Sequence, residues 1–187
     1  GFKSDEFAGA LKSKDEYIRA WAIQLLCEDG SPSREILAQF IRMAEEDPSP
    51  VVRLYLASAL QRVDEPAAWS IAEELIAHEE DTDDHNLPKM IWFGIEPLVA
   101  DDPDKGLALA VESRLPMIAE YTARRAVDAD AVVKLVDVLE TKPKTLVNML
   151  QGMRDGLEGR NDVTAPSNWA RAYKALQRSS AQVAALS

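Results

Sequence analysis

Apolar residues along this chain recur at helical spacing, and one such set occurs twice. Ile18, Trp21, Ala22, Leu25 and Leu26 step by 3, 1, 3 and 1 residues. Val52, Tyr55, Leu56, Ala59 and Leu60 repeat those steps 34 positions later. Each set lays one apolar stripe along an α-helix, and Arg19 and Arg53 keep the same offset. An arginine-bearing amphipathic helix that returns after 34 residues marks stacked helical pairs, in which neighbouring units bury one another's faces. The expected fold is all-α: a right-handed α-α superhelix in a single domain over residues 1–187, with about five helical pairs.

The polar punctuation divides the chain accordingly. Ser4 is placed to cap a short helix over Asp5–Leu11. A second helix starts after Ser13 and stops at Gly30. Ser31-Pro32 opens the next, and Asp47-Pro48-Ser49-Pro50 is a compact turn into the helix of Arg53. Asp64-Glu65-Pro66, Leu87-Pro88, Asp102-Pro103, Pro116, Pro143 and Pro166 open later helices, and Ala131–Glu140 is amphipathic. Pro97 is expected to kink its helix. Gly156, Gly159, Asn161 and Asp162 mark a loop, and residues 180–187 a frayed tail. Trp21, Tyr55 and Trp92 occupy related repeat positions and read as core, with a partner-binding stripe as the alternative.

Charge narrows the partners. The net charge is −11, and residues 1–110 hold 10 Lys and Arg against 23 Asp and Glu, whereas residues 111–187 hold 11 against 9. An acidic first half repels a phosphate backbone, so no nucleic-acid partner is expected. Arg124, Arg125, Arg171, Lys174 and Arg178 form a small basic end that reads as solvated helix faces. Cys27 is the single cysteine, which excludes an intrachain disulfide and a cysteine metal cluster; it reads as a small buried hydrophobe. No run approaches the ~20 apolar residues of a membrane span, so direct membrane insertion is not expected. The chain begins Gly1-Phe2 and reads as a fragment of a longer protein.

The stretch from His78 through Glu79, Glu80, Asp81, Asp83 and Asp84 to His85 is the one dense set of metal-capable side chains. Its spacing fits no established metal loop, and a solvated inter-helix loop is the simpler reading. Asn86 is a candidate N-cap, with Asp84 favoured at the positive end of the helix. The density of unusual residues makes Asp84, His85, Asn86, Trp92 and Glu96 a candidate interaction patch. Glu96, a carboxylate inside an apolar helix, is expected to face a concave surface or accept from a neighbour such as Arg124. No phosphate loop, nucleophile elbow, zinc-protease motif or dinucleotide fingerprint occurs. No catalytic residue, cofactor or metal is assigned.

The segment Asp47–Leu60, DPSPVVRLYLASAL, resembles a HEAT repeat of the HEAT/armadillo-like solenoids. In that family a turn Asp precedes an Arg on the second helix by six positions, as Asp47 precedes Arg53. Ser13 stands at the Asp position upstream, and Met90 replaces the Arg downstream, so the repeat degrades after about residue 62. The resemblance implies a structural ladder in which Arg19 reaches Asp47 and Arg53 reaches Asp84. A narrower resemblance rests on IRAWAIQLLCEDG, DPSPVVRLYLASALQR, DDHNLPKMIWFGIEPLV and GLEGRNDVTAPSNW. They are similar to the helical middle region of large planctomycete-type proteins that carry a sugar-dehydrogenase-like β-propeller and a c-type haem domain. That similarity implies an exported parent, periplasmic or at the cell surface. The function expected is a non-catalytic scaffold or interaction module whose partners are neighbouring domains of the parent or another protein. An accessory role, positioning a dehydrogenase domain against a haem acceptor, is the alternative.

Overall fold

The computed structural model describes residues 4–28, 30, 32–141, 144–161, 163–178 and 183. Among them there are helices and turns but no strand. Two compact units are present, Gly1–Ile95 and Glu96–Ser187. The boundary falls inside one helix.

The first unit holds α1 (Ser4–Ala10), α2 (Glu16–Leu26), α3 (Arg34–Glu46), α4 (Pro50–Ala59), α5 (Glu65–Leu75), a 3-10 turn (Glu79–Asp81) and the first part of α6 (Leu87–Asp101). Short polar side chains start these helices. Asp15 accepts from the backbone N–H of Tyr17 at 2.8 Å, Ser49 from that of Val52 at 3.4 Å, and Asp64 from that of Ala67 at 3.0 Å. Each satisfies a donor that the helix leaves without an internal partner. The start of α3 differs from expectation. Ser33, not Ser31, caps it, and Pro32 precedes the helix. Gly30, at φ 115°, takes the left-handed backbone that ends the preceding segment.

Alternate helices lie side by side: α2 packs on α4, and α3 on α5. This is how stacked hairpins bury their faces. Phe40, Val52, Leu56, Ile71, Leu75 and Ile91 are fully enclosed. The same alternation governs the second unit, with α7 (Pro103–Glu112), α8 (Pro116–Asp128), α9 (Val132–Glu140), α10 (Leu146–Leu157) and α11 (Trp169–Leu176). There α8 packs on α10 and α9 on α11. The described residues therefore form an all-α solenoid-type fold, and alternate helices pack side by side within each unit, in the second as in the first, although the sequence repeat has faded there.

Two expectations in the second half change. Gly156 lies in α10 rather than in a loop, because its missing side chain is used in packing. A Cβ there would stand 3.0 Å from Val127 Cβ and 3.2 Å from the Arg124 carbonyl oxygen. Helix α11 begins at Trp169, whose N–H bonds the Pro166 carbonyl at 2.9 Å, so Pro166 sits in the turn before it. Helix α6 contains Pro97 in its interior, where the kink is expected. Pro143, Asp162 and most of the 180–187 tail lie outside the described residues.

Candidate interaction surface

The ladder is built first, because it sets the register of the exposed residues. On α2 the Arg19 fork grips Asp47 through two bonds, Nε to Oδ2 at 2.7 Å and a terminal nitrogen to Oδ1 at 2.8 Å. Its third nitrogen donates to the Ser13 carbonyl at 2.9 Å. Arg53 repeats the arrangement one hairpin later. Its fork takes Asp81 at 2.6 and 2.5 Å, and its third nitrogen donates to the Asp47 carbonyl at 2.9 Å. The acceptor positions 13, 47 and 81 are each 34 residues apart.

Asp81 thus stands where Asp84 was expected, for a physical reason. Asp84 is occupied as a cap: its Oδ1 accepts from the N–H groups of Asn86 at 2.8 Å and Leu87 at 2.7 Å. Those backbone bonds, the Leu87 one foremost, hold the Asp84 carboxyl below its ordinary range. Asn86 holds the cap position of α6, its carbonyl accepting from the Met90 N–H at 2.8 Å, and Asp84 supplies the side-chain bonds at that end. The second step is drier than the first. Arg53 and Asp81 side chains are each 3% exposed, against 13% and 6% for Arg19 and Asp47. The carboxylate bonds of Asp81 lead in raising the Arg53 guanidinium above its ordinary range.

The acidic loop is spent on the fold. His78 lies 2.7 Å from the Ala44 carbonyl, at the C-terminal end of α3, and 2.9 Å from Glu80. The His78 bond holds the Glu80 carboxyl below its ordinary range. Among the described residues no group of three or more His, Cys, Asp or Glu side chains is gathered as metal ligands would be.

Of the expected patch, Asp84, His85 and Asn86 are exposed at the start of α6, while Trp92 is buried within it. Glu96 belongs to the second unit and forms an ion pair, at 2.6 Å, with Arg125 rather than Arg124. Arg124 is the exposed neighbour on α8 and Arg125 the half-buried one. The rest of the basic end is partly paired: Arg171 forks onto Glu140 with two bonds of 2.8 Å.

The aromatic residues overturn a second expectation. Trp21 is 54% exposed and Ile18 48%. Tyr55 is half-buried. The buried side of α2 is instead made by Ala20, Ala22 and Ile23, continued by Cys27. Two alanines and Ile23 form the contact, and Ile18 and Trp21 stand out. Tyr17 is 61% exposed, and Phe93 on α6 is 59% exposed. Both were missed from the sequence. The available signal for Phe93 was the continuous apolar run of α6, which holds more apolar residues than one stripe requires.

Gln24, Tyr55, Ser58, Arg62 and Met90 line a groove of about 230 Å³ that α2, α4 and α6 share, with Cys27 at its wall. Trp21 stands one turn before Gln24, and Phe93 one turn after Met90. Burial pushes the Cys27 thiol up to about 11, so it is a packing residue there rather than a nucleophile. In the second unit a cleft of about 650 Å³ has Leu150, Met153, Leu157 and Trp169 among its lining. Arg154, Arg160, Asp155 and Glu158 also line it, and their charges balance.

Two ladder steps at a 34-residue interval, on alternately packed helices, are what a comparison with known families can recognise. Residues 5–85 match HEAT repeats. No curated protein matches the chain, and no solved structure does. The matched residues lie wholly in the first unit and contain both ladder steps. HEAT repeats commonly serve as protein-interaction scaffolds. Among the described residues no helix is long and apolar enough to cross a membrane.

Proposed function

We propose that this chain is a non-catalytic interaction module of a larger protein, and that the face shared by α2, α4 and α6 is its working surface. One observation carries the reading: Tyr17, Trp21 and Phe93 are more than half exposed on helices whose buried sides are already filled. Large aromatic side chains left in water on α2 and α6 are what a partner covers, and they dominate interface energetics once covered. Asp84, His85 and Asn86 are proposed as the polar rim at the start of α6.

The test is the double variant Trp21→Ala, Phe93→Ala. Both side chains are exposed, so the melting temperature stays close to that of the parent sequence. Assembly with the neighbouring domains of the full-length protein, measured by titration calorimetry, weakens by about tenfold or more. A large fall in melting temperature with unchanged assembly would make the aromatics structural.

A second reading is an accessory role, holding a sugar-dehydrogenase-like domain near a haem acceptor in an exported parent. The stretches from Ile18 to Gly30 and from Asp83 to Val99 support it by their resemblance. A β-propeller encoded upstream and a Cys-x-x-Cys-His site downstream in the full gene would decide for it. Nucleic-acid binding is not proposed. With 10 basic against 23 acidic residues over 1–110, fluorescence anisotropy with duplex DNA at physiological salt is expected to stay flat through roughly 10⁻⁴ M, the weak end of non-specific binding.

A further inference from the structure

Helices α2 and α4 carry the same apolar stripe 34 positions apart, yet they are covered differently. Val52 is 0% exposed, and its counterpart Ile18 is 48% exposed. Ala59 is buried where Leu25 is half-buried, and Tyr55 is half-buried where Trp21 is exposed. Leu56 and Ala57 correspond to Ala22 and Ile23, and all four are buried. The inward side is thus the same in both helices, and the difference lies on one flank. Positions 18, 21 and 25 follow i, i+3 and i+7 and share that flank of α2.

The groove identifies what covers the same flank of α4. Tyr55 and Ala59 line it from α4, and Gln24 and Cys27 from α2. Ala20 lies one turn before Gln24 and is buried. The stripe Ala20, Gln24 and Cys27 of α2 therefore lies against the Tyr55–Ala59 flank, small side chains meeting larger ones. Helix α2 itself packs chiefly on α1 and α4, and Ile18 and Trp21 on its own flank stay in water. Stacked repeats bury one another through one repeated contact, so this flank is the open side of the stack.

The ladder does not run on past that side. Ser13 stands at the acid position, and its hydroxyl accepts from the Asp15 N–H at 3.1 Å. Its carbonyl accepts from Arg19 at 2.9 Å. An arginine from a further ladder repeat would find no carboxylate there.

Resting on the interaction-module reading above, we propose that the Ile18–Trp21–Leu25 flank takes one further α-helix from outside this sequence, laid as α2 lies on α4. That helix presents small apolar side chains at i and i+7, the places of Ala20 and Cys27, so that Ile18 and Trp21 enter between its turns. It needs no ladder arginine. Trp21 is the aromatic anchor of the contact, and the mode is a helix laid in a groove between side chains.

The experiment uses the whole chain, with the contact side of α2 as the probe. The probe is a synthetic peptide of residues 14–28 carrying Trp21→Gln, Ile18→Gln, Leu25→Gln and Cys27→Ser, which removes its own flank, fluorescence and thiol. The control peptide adds Ala20→Glu, a charge on the contact side. Trp21 of the chain is the reporter, since Trp69 and Trp92 are buried and Trp169 belongs to the second unit. The probe is expected to shift the Trp21 emission and to bind about tenfold more tightly than the control, which must bury a carboxylate. Ile18→Glu in the chain is expected to weaken the probe by about tenfold for the same reason. Ile18 is exposed, so a circular-dichroism melt of that variant stays with the parent. Val133→Ser, at an exposed apolar residue of the second unit, leaves probe binding unchanged.

A control peptide that binds as tightly as the probe, or a signal that survives Ile18→Glu, overturns the flank as a helix site. So does the absence of any shift with probe up to about 1 mM. A chain that sediments alone as a dimer, and that Ile18→Glu returns to monomer, gives the flank to a second copy and overturns the outside helix. The interaction-module reading stands or falls separately, on assembly of the Trp21→Ala, Phe93→Ala variant.

Discussion

Replacing Arg53 by methionine is expected to destabilise the chain by about 3–5 kcal/mol, because it strands a buried carboxylate. Asp81 is 3% exposed at its side chain and receives both of its close bonds from the Arg53 fork. Without that fork the charge stays in a dry site or the group must take up a proton, and the Asp47 carbonyl loses its donor as well. Urea unfolding followed by far-ultraviolet circular dichroism measures the loss. The double variant Arg53→Met, Asp81→Leu is the informative partner. Removing both charges together is often close to neutral, so most of the loss should return. Arg19→Met is expected to cost less, since Arg19 is 13% exposed and water reaches Asp47 once it is gone. An Arg53→Met loss below about 1 kcal/mol would place this pair with solvent-exposed ones and refute a buried ladder.

The second large effect lies in the other unit. Gly152 sits where α10 crosses α8, and a Cβ built on it would be 1.8 Å from the Glu120 carbonyl oxygen. That atom is backbone and cannot swing aside. Gly152→Ala therefore forces the two helices apart, at a cost of about 3 kcal/mol or more, the upper range for overpacking. The opposite sign is expected at Gly9, where nothing lies within 4 Å of the added carbon; there alanine should stabilise by about 0.5 kcal/mol through the unfolded chain. Differential scanning calorimetry of both variants tests the pair. A Gly152→Ala protein that melts with the parent would mean that the helices do not approach so closely.

Much of this was legible in the chain because it rests on local chemistry. Ser49, Asp64 and Asp102 announce helix starts, and all three cap them. The 34-residue interval announces stacked pairs. What local patterns do not carry is which side of a helix its neighbours cover. On α2 the large residues Ile18 and Trp21 look like the buried stripe, yet Ala20, Ala22 and Ile23 make the contact, because closely packed helices favour small side chains at the crossing. The same reason hides Gly152, and Gly156, which reads as a loop residue; both serve as contact surfaces. The acid of the second ladder step was misread for another cause. The apolar stripe of α6 invites an offset of 39, but the turn acid keeps 34, and the five residues Thr82–Asn86 intervene after it. Asp81 is found by following the acceptors rather than the stripe.

Asp47 takes part in both ladder steps, Arg19 on its side chain and Arg53 on its backbone oxygen. Such a residue makes the chain's length quantised. Removing one residue between positions 14 and 47 shifts an arginine against its acid at one step and a carbonyl against its arginine at the other. Removing residues 14–47 whole brings Arg53 to the Ser13 carbonyl, with Asp81 still the acid it grips, and every donor again meets an acceptor of the kind it had. Descendants of this sequence that lengthen or shorten its first unit within the ladder can do so without loss only in steps of 34 residues, the interval between Ser13, Asp47 and Asp81.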